Sequence, residues 1–270
     1  MKICIAGACG RMGQRILEMA AAADDIEVGS AFDLPEQAGT ALVYGAAESG
    51  GVITLSGSAK DAIVDADVLI DFTHADVCVG NVRAAAERGK AAVVGTTGLS
   101  PEQQQEIKVL AEEVPVVFAP NMSVGVNVLF KLVSQAAQAL GLDYNVEITE
   151  IHHNQKKDSP SGTAVRLAEL AAEALDLDYA KDAIHGRQGN LGARPRREIG
   201  MHSLRGGDVA GEHTVVFIGE GERIELTHRA HNRDNFARGS LIAARFVMTA
   251  DPGLYDMQDV LGLRSCRTVN

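Results

Sequence analysis

The feature that most constrains this chain is a glycine-rich turn set between an apolar strand and an amphipathic helix. Lys2 to Ala6 reads as a short buried strand, Gly7-Ala8-Cys9-Gly10-Arg11-Met12-Gly13 follows at once, and Met12, Ile16, Met19 and Ala23 recur at helical spacing. In that strand–turn–helix context a GxxGxxG pattern reads as a dinucleotide fingerprint. Glycine permits the tight turn and lets backbone amides approach a pyrophosphate at the helix N-terminus. That nominates Gly7, Ala8, Cys9, Gly10, Arg11 and Met12 as cofactor contacts. A second strand, Glu27 to Phe32, ends at Asp33, twenty residues after Gly13, where an acid can accept hydrogen bonds from ribose hydroxyls. The next residues are Leu34, Pro35 and Glu36, none suited to a 2′-phosphate. NADH is therefore the predicted cofactor, with NADPH left open.

The segment 37–60 reads as irregular, and the alternation of strand and helix then resumes. Val68 to Thr73, Ala91 to Val94 and Val114 to Ala119 are apolar strands. Ala75 to Arg88 is a helix ending at Gly89, and Ser100-Pro101-Glu102-Gln103 opens another with a cap, an N1 proline and a capping-box glutamine. Alternating elements predict a parallel, doubly wound α/β sheet of Rossmann type. In such sheets ligands collect beyond the carboxyl ends of the strands. By that rule Phe72 and Thr73, Gly95, Thr96 and Thr97, and Ala119, Pro120, Asn121 and Met122 are further candidate cofactor contacts; each is also readable as an ordinary βα turn.

After a helix capped by Ser123, with Leu129, Leu132, Val133, Ala136 and Leu140 on one face, the rhythm changes. Asn145 to Ile151 is a strand, Leu167, Leu170, Ala171 and Ala174 mark a helix, and 176–197 reads as a long polar loop. Glu198 to Leu204, Val209 to Ile218 and Glu222 to His228 are then strands joined by glycine turns, which predicts a mixed or antiparallel sheet in a second, α+β domain. From Asp234 the chain turns helical again and is expected to return to the first domain. The division is 1–123 plus 234–270 for dinucleotide binding and 124–233 for substrate binding and oligomerisation.

The chemistry concentrates in Glu150 to Ala164, EIHHNQKKDSPSGTA. Two histidines end a strand, lysines follow, and Ser161, Gly162 and Thr163 open a helix whose N-terminus attracts anions. A histidine, a lysine and an anion cradle this close together suit proton transfer to a carboxylate-bearing substrate. The net charge, 25 − 36 = −11, argues against nonspecific binding to nucleic acid or an anionic membrane. Met1-Lys2 leads straight into a strand, no run of eighteen apolar residues occurs, and Cys4, Cys9, Cys78 and Cys266 show no CxxC pairing. A cytoplasmic protein with reduced thiols is expected. His185, His202, His213, His228 and His231 lack metal-ligand spacing, so no metal is expected. Residues alone leave the roles of His213, Arg205 and Arg233 open.

GACGRMG at 7–13, IDFT at 70–73, GTTG at 95–98, N-x-S-V-G-V-N at 121–127 and the 150–164 stretch together resemble the 4-hydroxy-tetrahydrodipicolinate (dihydrodipicolinate) reductase family. GEH at 211–213 and LYDMQDVLGL at 254–263 fit as well. The resemblance implies NAD(P)H-dependent reduction of a small cyclic dicarboxylate on the diaminopimelate route to lysine. It further implies His152 as general acid/base and Lys156 as proton donor. His153, Gly162 and Thr163 would bind substrate, and Ser161 would belong to the same cradle. Lys157 would be a solvated charge, and the assembly a homotetramer joined through the second sheet. One departure is Leu34, where many relatives carry a basic residue. Two rivals are another two-domain NAD-dependent dehydrogenase, which as a semialdehyde enzyme would need a nucleophilic cysteine, and a nonenzymatic nucleotide sensor of the same fold.

Overall fold

The first strand lies inside the parallel sheet, paired on both sides. The structure, a computed structural model, describes residues 1–46 and 50–264. In chain order come β1 (Lys2–Ala6), α1 (Arg11–Ala21), β2 (Glu27–Phe32), β3 (Ala41–Tyr44), β4 (Gly51–Thr54), α2 (Ala59–Ala62), β5 (Val68–Asp71) and α3 (Ala75–Ala86). They are followed by β6 (Ala91–Val94), α4 (Pro101–Leu110), β7 (Pro115–Phe118), α5 (Val124–Leu140), β8 (Asn145–His152), α6 (Gly162–Ala174) and α7 (Tyr179–Asp182). The remainder is β9 (Ala183–His185), β10 (Ile199–Arg205), β11 (Gly211–Ile218), β12 (Arg223–Ala230), α8 (Asp234–Val247), β13 (Gly253–Tyr255) and α9 (Met257–Val260). Two compact units result: Met1–Val124 with the described residues from Arg233 onward, and Gly125–Asn232.

The first unit is a six-stranded parallel sheet in the order β13-β7-β6-β5-β1-β2. Its central strands β5 and β6 are buried along their whole length, as continuous apolar runs are when helices cover both faces. On one side α1 and α8 pack Ile16, Leu17, Leu241 and Ala244 against Ile3, Ile5 and Ile70. On the other, α3 and α4 pack Val82, Ala85 and Ile107 against Cys4, Leu69 and Val94. Truncating a residue such as Ile70 to alanine should cost roughly 2–5 kcal/mol. The Ser100 capping box forms as read, with Ser100 Oγ accepting from Gln103 N–H and Gln103 Oε1 accepting from Ser100 N–H.

The second unit holds a five-stranded mixed sheet, β12-β11-β8-β10-β9. β8, β10 and β9 run parallel, and β11 is antiparallel to β8 and β12. Leu129, Val133 and Ala137 of α5 and Leu167, Ala168 and Ala171 of α6 cover one face over Val146, Ile148, Met201, Val215 and Phe217.

The structure corrects several local readings. Segment 37–60 was expected to be irregular, but among its described residues β3 and β4 form an antiparallel hairpin and α2 begins at Ala59, while 47–49 lie outside the described residues. Its alternation was hidden because Val43 and Val52, paired across the hairpin, are 75% and 67% exposed. Segment 176–197 contains α7, capped by Asp178, and β9, which pairs with β10. The helix predicted to reach Arg88 ends at Ala86, and Leu132 faces outward at 44% exposure, because the buried stripe of α5 runs through Val126, Leu129, Val133 and Ala137. Cys266 lies outside the described residues.

Candidate active site

In the first unit the carboxyl ends of β1, β5, β6 and β7 carry the turns nominated for the cofactor. Gly7 adopts φ +69°, and a Cβ at Gly13 would meet the Gly7 carbonyl oxygen at 2.2 Å. Only glycine at 13 therefore lets α1 start this close to the turn. Gly10 precedes α1, Arg11 is its exposed first residue, Met12 is half-buried, and Ala8 is buried. Asp33 is held against this turn: its Oδ2 accepts from Cys9 N–H at 2.7 Å and its Oδ1 from Leu34 N–H at 2.8 Å. Each carboxylate oxygen keeps a further lone pair for a hydroxyl. A glycine cradle at a helix N-terminus, with an acid fixed at its side, fits a dinucleotide.

The neighbouring turns interlock beneath that cradle. The Phe72 ring lies over Gly95, where a Cβ would come within 2.3 Å, and Thr73 lies against Gly7. Asp71, fully buried, ties them together. Its Oδ1 accepts from Thr73 N–H (3.0 Å), Thr73 Oγ1 (2.7 Å) and Thr96 Oγ1 (2.6 Å), and its Oδ2 from Asn81 Nδ2 (2.8 Å). Thr97 and Pro120 are exposed, and Asn121 Oδ1 accepts from Ser123 N–H at 2.9 Å. Ala119 and Met122 are buried, and Gly239 of α8 packs onto the Met122 carbonyl, so the Met122 side chain belongs to the core.

In the second unit the period-two burial of Val146 and Ile148 continues to Glu150, only 1% exposed, and to His152 at the end of β8. Glu150 Oε2 meets His152 Nδ1 at 2.6 Å, and Oε1 accepts from Ser161 N–H at 3.1 Å. Arg205, at the end of the adjacent β10, clamps both oxygens at 2.8 Å and also donates to the Asp158 carbonyl at 2.9 Å. Ser161 caps α6 by accepting from Ala164 N–H (3.2 Å), and its hydroxyl meets His213 Nε2 at 2.9 Å. His213 lies on β11 in register with Glu150, its ring edge-on to His152 with centroids 5.2 Å apart. Lys156 pairs with Asp158 at 2.8 Å with only 19% of its side chain exposed, whereas Lys157 is exposed. His153, half-buried, is anchored through its N–H to the Val209 carbonyl at 2.8 Å, and Gly162 and Thr163 form the first turn of α6.

Burial alone would raise the Glu150 carboxyl, but Arg205 and then His152 hold it at about 2. Burial lowers His152 below its ordinary value; Glu150 opposes this, and Lys156 and Arg205 reinforce it. Burial, then the neighbouring His152, pushes His213 down to about 3. Asp158 is lowered first by its hydrogen bond to Lys156. The cluster thus offers a neutral imidazole, an ammonium and a helix N-terminus around one ionised carboxylate, an arrangement able to move a proton beside an anionic ligand.

Sequence reasoning reached His152, His153, Lys156, Ser161, Gly162 and Thr163, which this unit gathers at one end of its sheet, but it gave Glu150 no role and left Arg205 undecided. The usable signal was the phase of Glu150 with Val146 and Ile148, which places a carboxylate on a buried face. Cys78 is fully buried and its thiol is pushed up by burial and then Asp71, so it does not serve as the nucleophile a semialdehyde dehydrogenase needs. Among the described residues no group of three or more His, Cys, Asp or Glu could hold a metal ion, and no helix is long and apolar enough to cross a membrane.

Comparisons with known proteins agree with this layout. Family models described as dihydrodipicolinate reductase, N-terminus and C-terminus, match residues 1–122 and 125–261. The 4-hydroxy-tetrahydrodipicolinate reductase of Citrifermentans bemidjiense is 51% identical over 266 residues, covering 98% of this chain and 100% of its own. That of Geobacter metallireducens is 51% identical over 270 residues, with the same coverage. A solved dipicolinate-bound dihydrodipicolinate reductase from Paenisporosarcina sp. TG-14 superposes with a TM-score of 0.76 at 25% identity, covering 96% of this chain and 98% of its own. The chain belongs to the dihydrodipicolinate reductase family.

Proposed function

We propose that His152 and Lys156 carry the proton chemistry by which this chain reduces 4-hydroxy-tetrahydrodipicolinate to tetrahydrodipicolinate on the diaminopimelate route to lysine. The observation that carries this reading is the Glu150–His152 pair beside the N-terminus of α6, with half-buried Lys156 on the connecting loop. A bound nicotinamide nucleotide supplies the hydride. The chain's own residues do the rest. The first turn of α6 binds substrate carboxylate through the backbone N–H groups of Gly162 and Thr163, the Thr163 hydroxyl and the helix dipole, and the His153 side chain joins them. Ser161, whose hydroxyl is engaged by Ala164 and His213, shapes that turn. The 4-hydroxyl leaves as water, Lys156 donates the proton that completes the hydride addition, and His152 exchanges protons at Nε2 as negative charge develops on the substrate.

On the cofactor side we assign Gly7, Ala8, Cys9, Gly10, Arg11, Met12, Asp33, Phe72, Thr73, Gly95, Thr96, Thr97, Ala119, Pro120, Asn121 and Met122 to dinucleotide binding, with Met122 and Ala119 acting through backbone. NADH is preferred, because Asp33 is followed by the exposed, uncharged Leu34 and no ammonium or guanidinium takes that position. Residues 1–123 plus 234–270 form the dinucleotide-binding domain, and 124–233 the substrate-binding and oligomerisation domain. The substrate is a small cyclic dicarboxylate, a relative of the dipicolinate bound to the Paenisporosarcina enzyme. The assembly is a homotetramer built on the second sheet, to be checked by light scattering. The free thiols of Cys4, Cys9 and Cys78 suit the cytoplasm. Following NADH oxidation with freshly generated 4-hydroxy-tetrahydrodipicolinate tests the reading: turnover with KM lower for NADH than for NADPH is expected. No turnover with either nucleotide overturns the reaction, and a clear NADPH preference overturns the cofactor assignment.

A further inference from the structure

A buried carboxylate is costly unless its lone pairs are met, so the partners of Glu150 describe what it is for. Its two oxygens serve two parts of the site. Oε1 receives the Ser161 N–H at the start of α6, Oε2 receives His152 Nδ1, and Arg205 bridges both. Because Glu150 is ionised and acceptor-only, Nδ1 of a neutral His152 must carry the proton, which leaves the lone pair on Nε2. That nitrogen lies beside Gly211, where an added Cβ would come within 3.0 Å of it. We propose that Glu150 is the positioning residue of this site, locking the His152 tautomer and the α6 N-terminus in one frame, and that Arg205 sets how strongly it acts on the imidazole. The inference rests on His152 being the proton-exchanging group.

The charged and titratable groups around His152 are Glu150 on β8, Arg205 on β10, Lys156 and Asp158 on the loop after β8, and His213 on β11 with His228 of β12 beyond it. Glu150 favours the imidazolium, while Arg205 and Lys156 disfavour it. Removing Glu150 and removing Arg205 must therefore move His152 in opposite directions, which a structural role would not do.

The test is the pH profile of kcat/KM for wild type, Glu150→Gln, Arg205→Met and His152→Gln, with thermal melts to establish folding. Glu150→Gln should move the His152 limb to lower pH by about 0.5–1 unit and Arg205→Met should move it to higher pH by a similar amount. Glu150→Gln should also lower kcat by about 10- to 100-fold while leaving nucleotide Kd within about twofold. Glu150→Asp should recover part of the limb position. If Glu150→Gln does not fold, the direction of the Arg205→Met shift decides alone. Limbs that stay in place, or that move the same way in both variants, overturn the role of Glu150. A wild-type limb surviving in His152→Gln overturns instead the assignment of His152 on which the inference rests.

Discussion

Asp71 and Glu150 occupy similar places in the two units, yet their surroundings differ in kind. Each is at most 1% exposed and stands at or near the end of a strand central to its sheet, next to loops assigned to ligand. Among the described residues, Asp71 is met by neutral donors: a backbone N–H, two threonine hydroxyls, an asparagine amide and the Cys78 thiol. Glu150 is met by a guanidinium and an imidazole as well as a backbone N–H. Neutral donors fix the shape of two turns without adding anything that titrates near neutrality, which suits a rigid nucleotide cradle. A guanidinium and an imidazole on one carboxylate make a charge balance that can shift by one proton, which suits acid–base chemistry.

The largest effects are expected at the proton-handling end. His152→Gln or Lys156→Met should lower kcat by about 10²- to 10⁴-fold with nucleotide Kd unchanged. Equal damage to nucleotide binding would show that the two units do not divide the work. Asp71→Asn comes next. An amide NH₂ would face donors that now find an acceptor, an unmet pairing worth roughly 1–3 kcal/mol. Nucleotide Kd, followed by NADH fluorescence, should rise about tenfold, while substrate KM and the pH profile stay put. A displaced pH limb in that variant would show that Asp71 also acts on the proton chemistry. Thr163→Val should raise substrate KM several-fold with kcat nearly constant; the reverse pattern would reassign Thr163 to the chemical step.

The smallest effect is one of stability. Folding holds His213 near 3 against an ordinary value of about 6.5, so the buried ring must stay neutral. Its contribution is complete above about pH 6.5 and is lost as pH falls toward 3. Glu150, held at about 2, loses its own contribution only below about pH 4.5. His213→Asn should therefore flatten the fall of Tm between about pH 6.5 and 4.5 by a few degrees. An unchanged slope would mean that other groups dominate that window.

Where the determinants were local, the sequence showed them. The strand, glycine turn, helix and following acid lie within residues 2–33, and the Ser100 box and the Ser161 cap each lie within four residues. The β3–β4 hairpin was missed because it is apolar on both faces: Leu42, Tyr44 and Ile53 pack toward the core while Val43 and Val52 are exposed, which hides the alternation. The frame of the candidate site was missed for another reason. The phase of β8 buries Glu150, but Arg205 is 55 residues away and His213 on a different strand again, so the parallel β8–β10 and antiparallel β8–β11 pairings bring them together. Asp71 and Thr96, 25 residues apart, are joined likewise by the β5–β6 pairing. Sequence nominates side chains for chemistry; strand register shows which of them restrain one another.

The most direct measurement is the ¹⁵N NMR signature of the His152 ring in protein labelled on histidine, at a pH where the imidazole is neutral. The expected result is a protonated Nδ1 held by Glu150 and a bare Nε2. A neutral ring carrying its proton on Nε2 would contradict it.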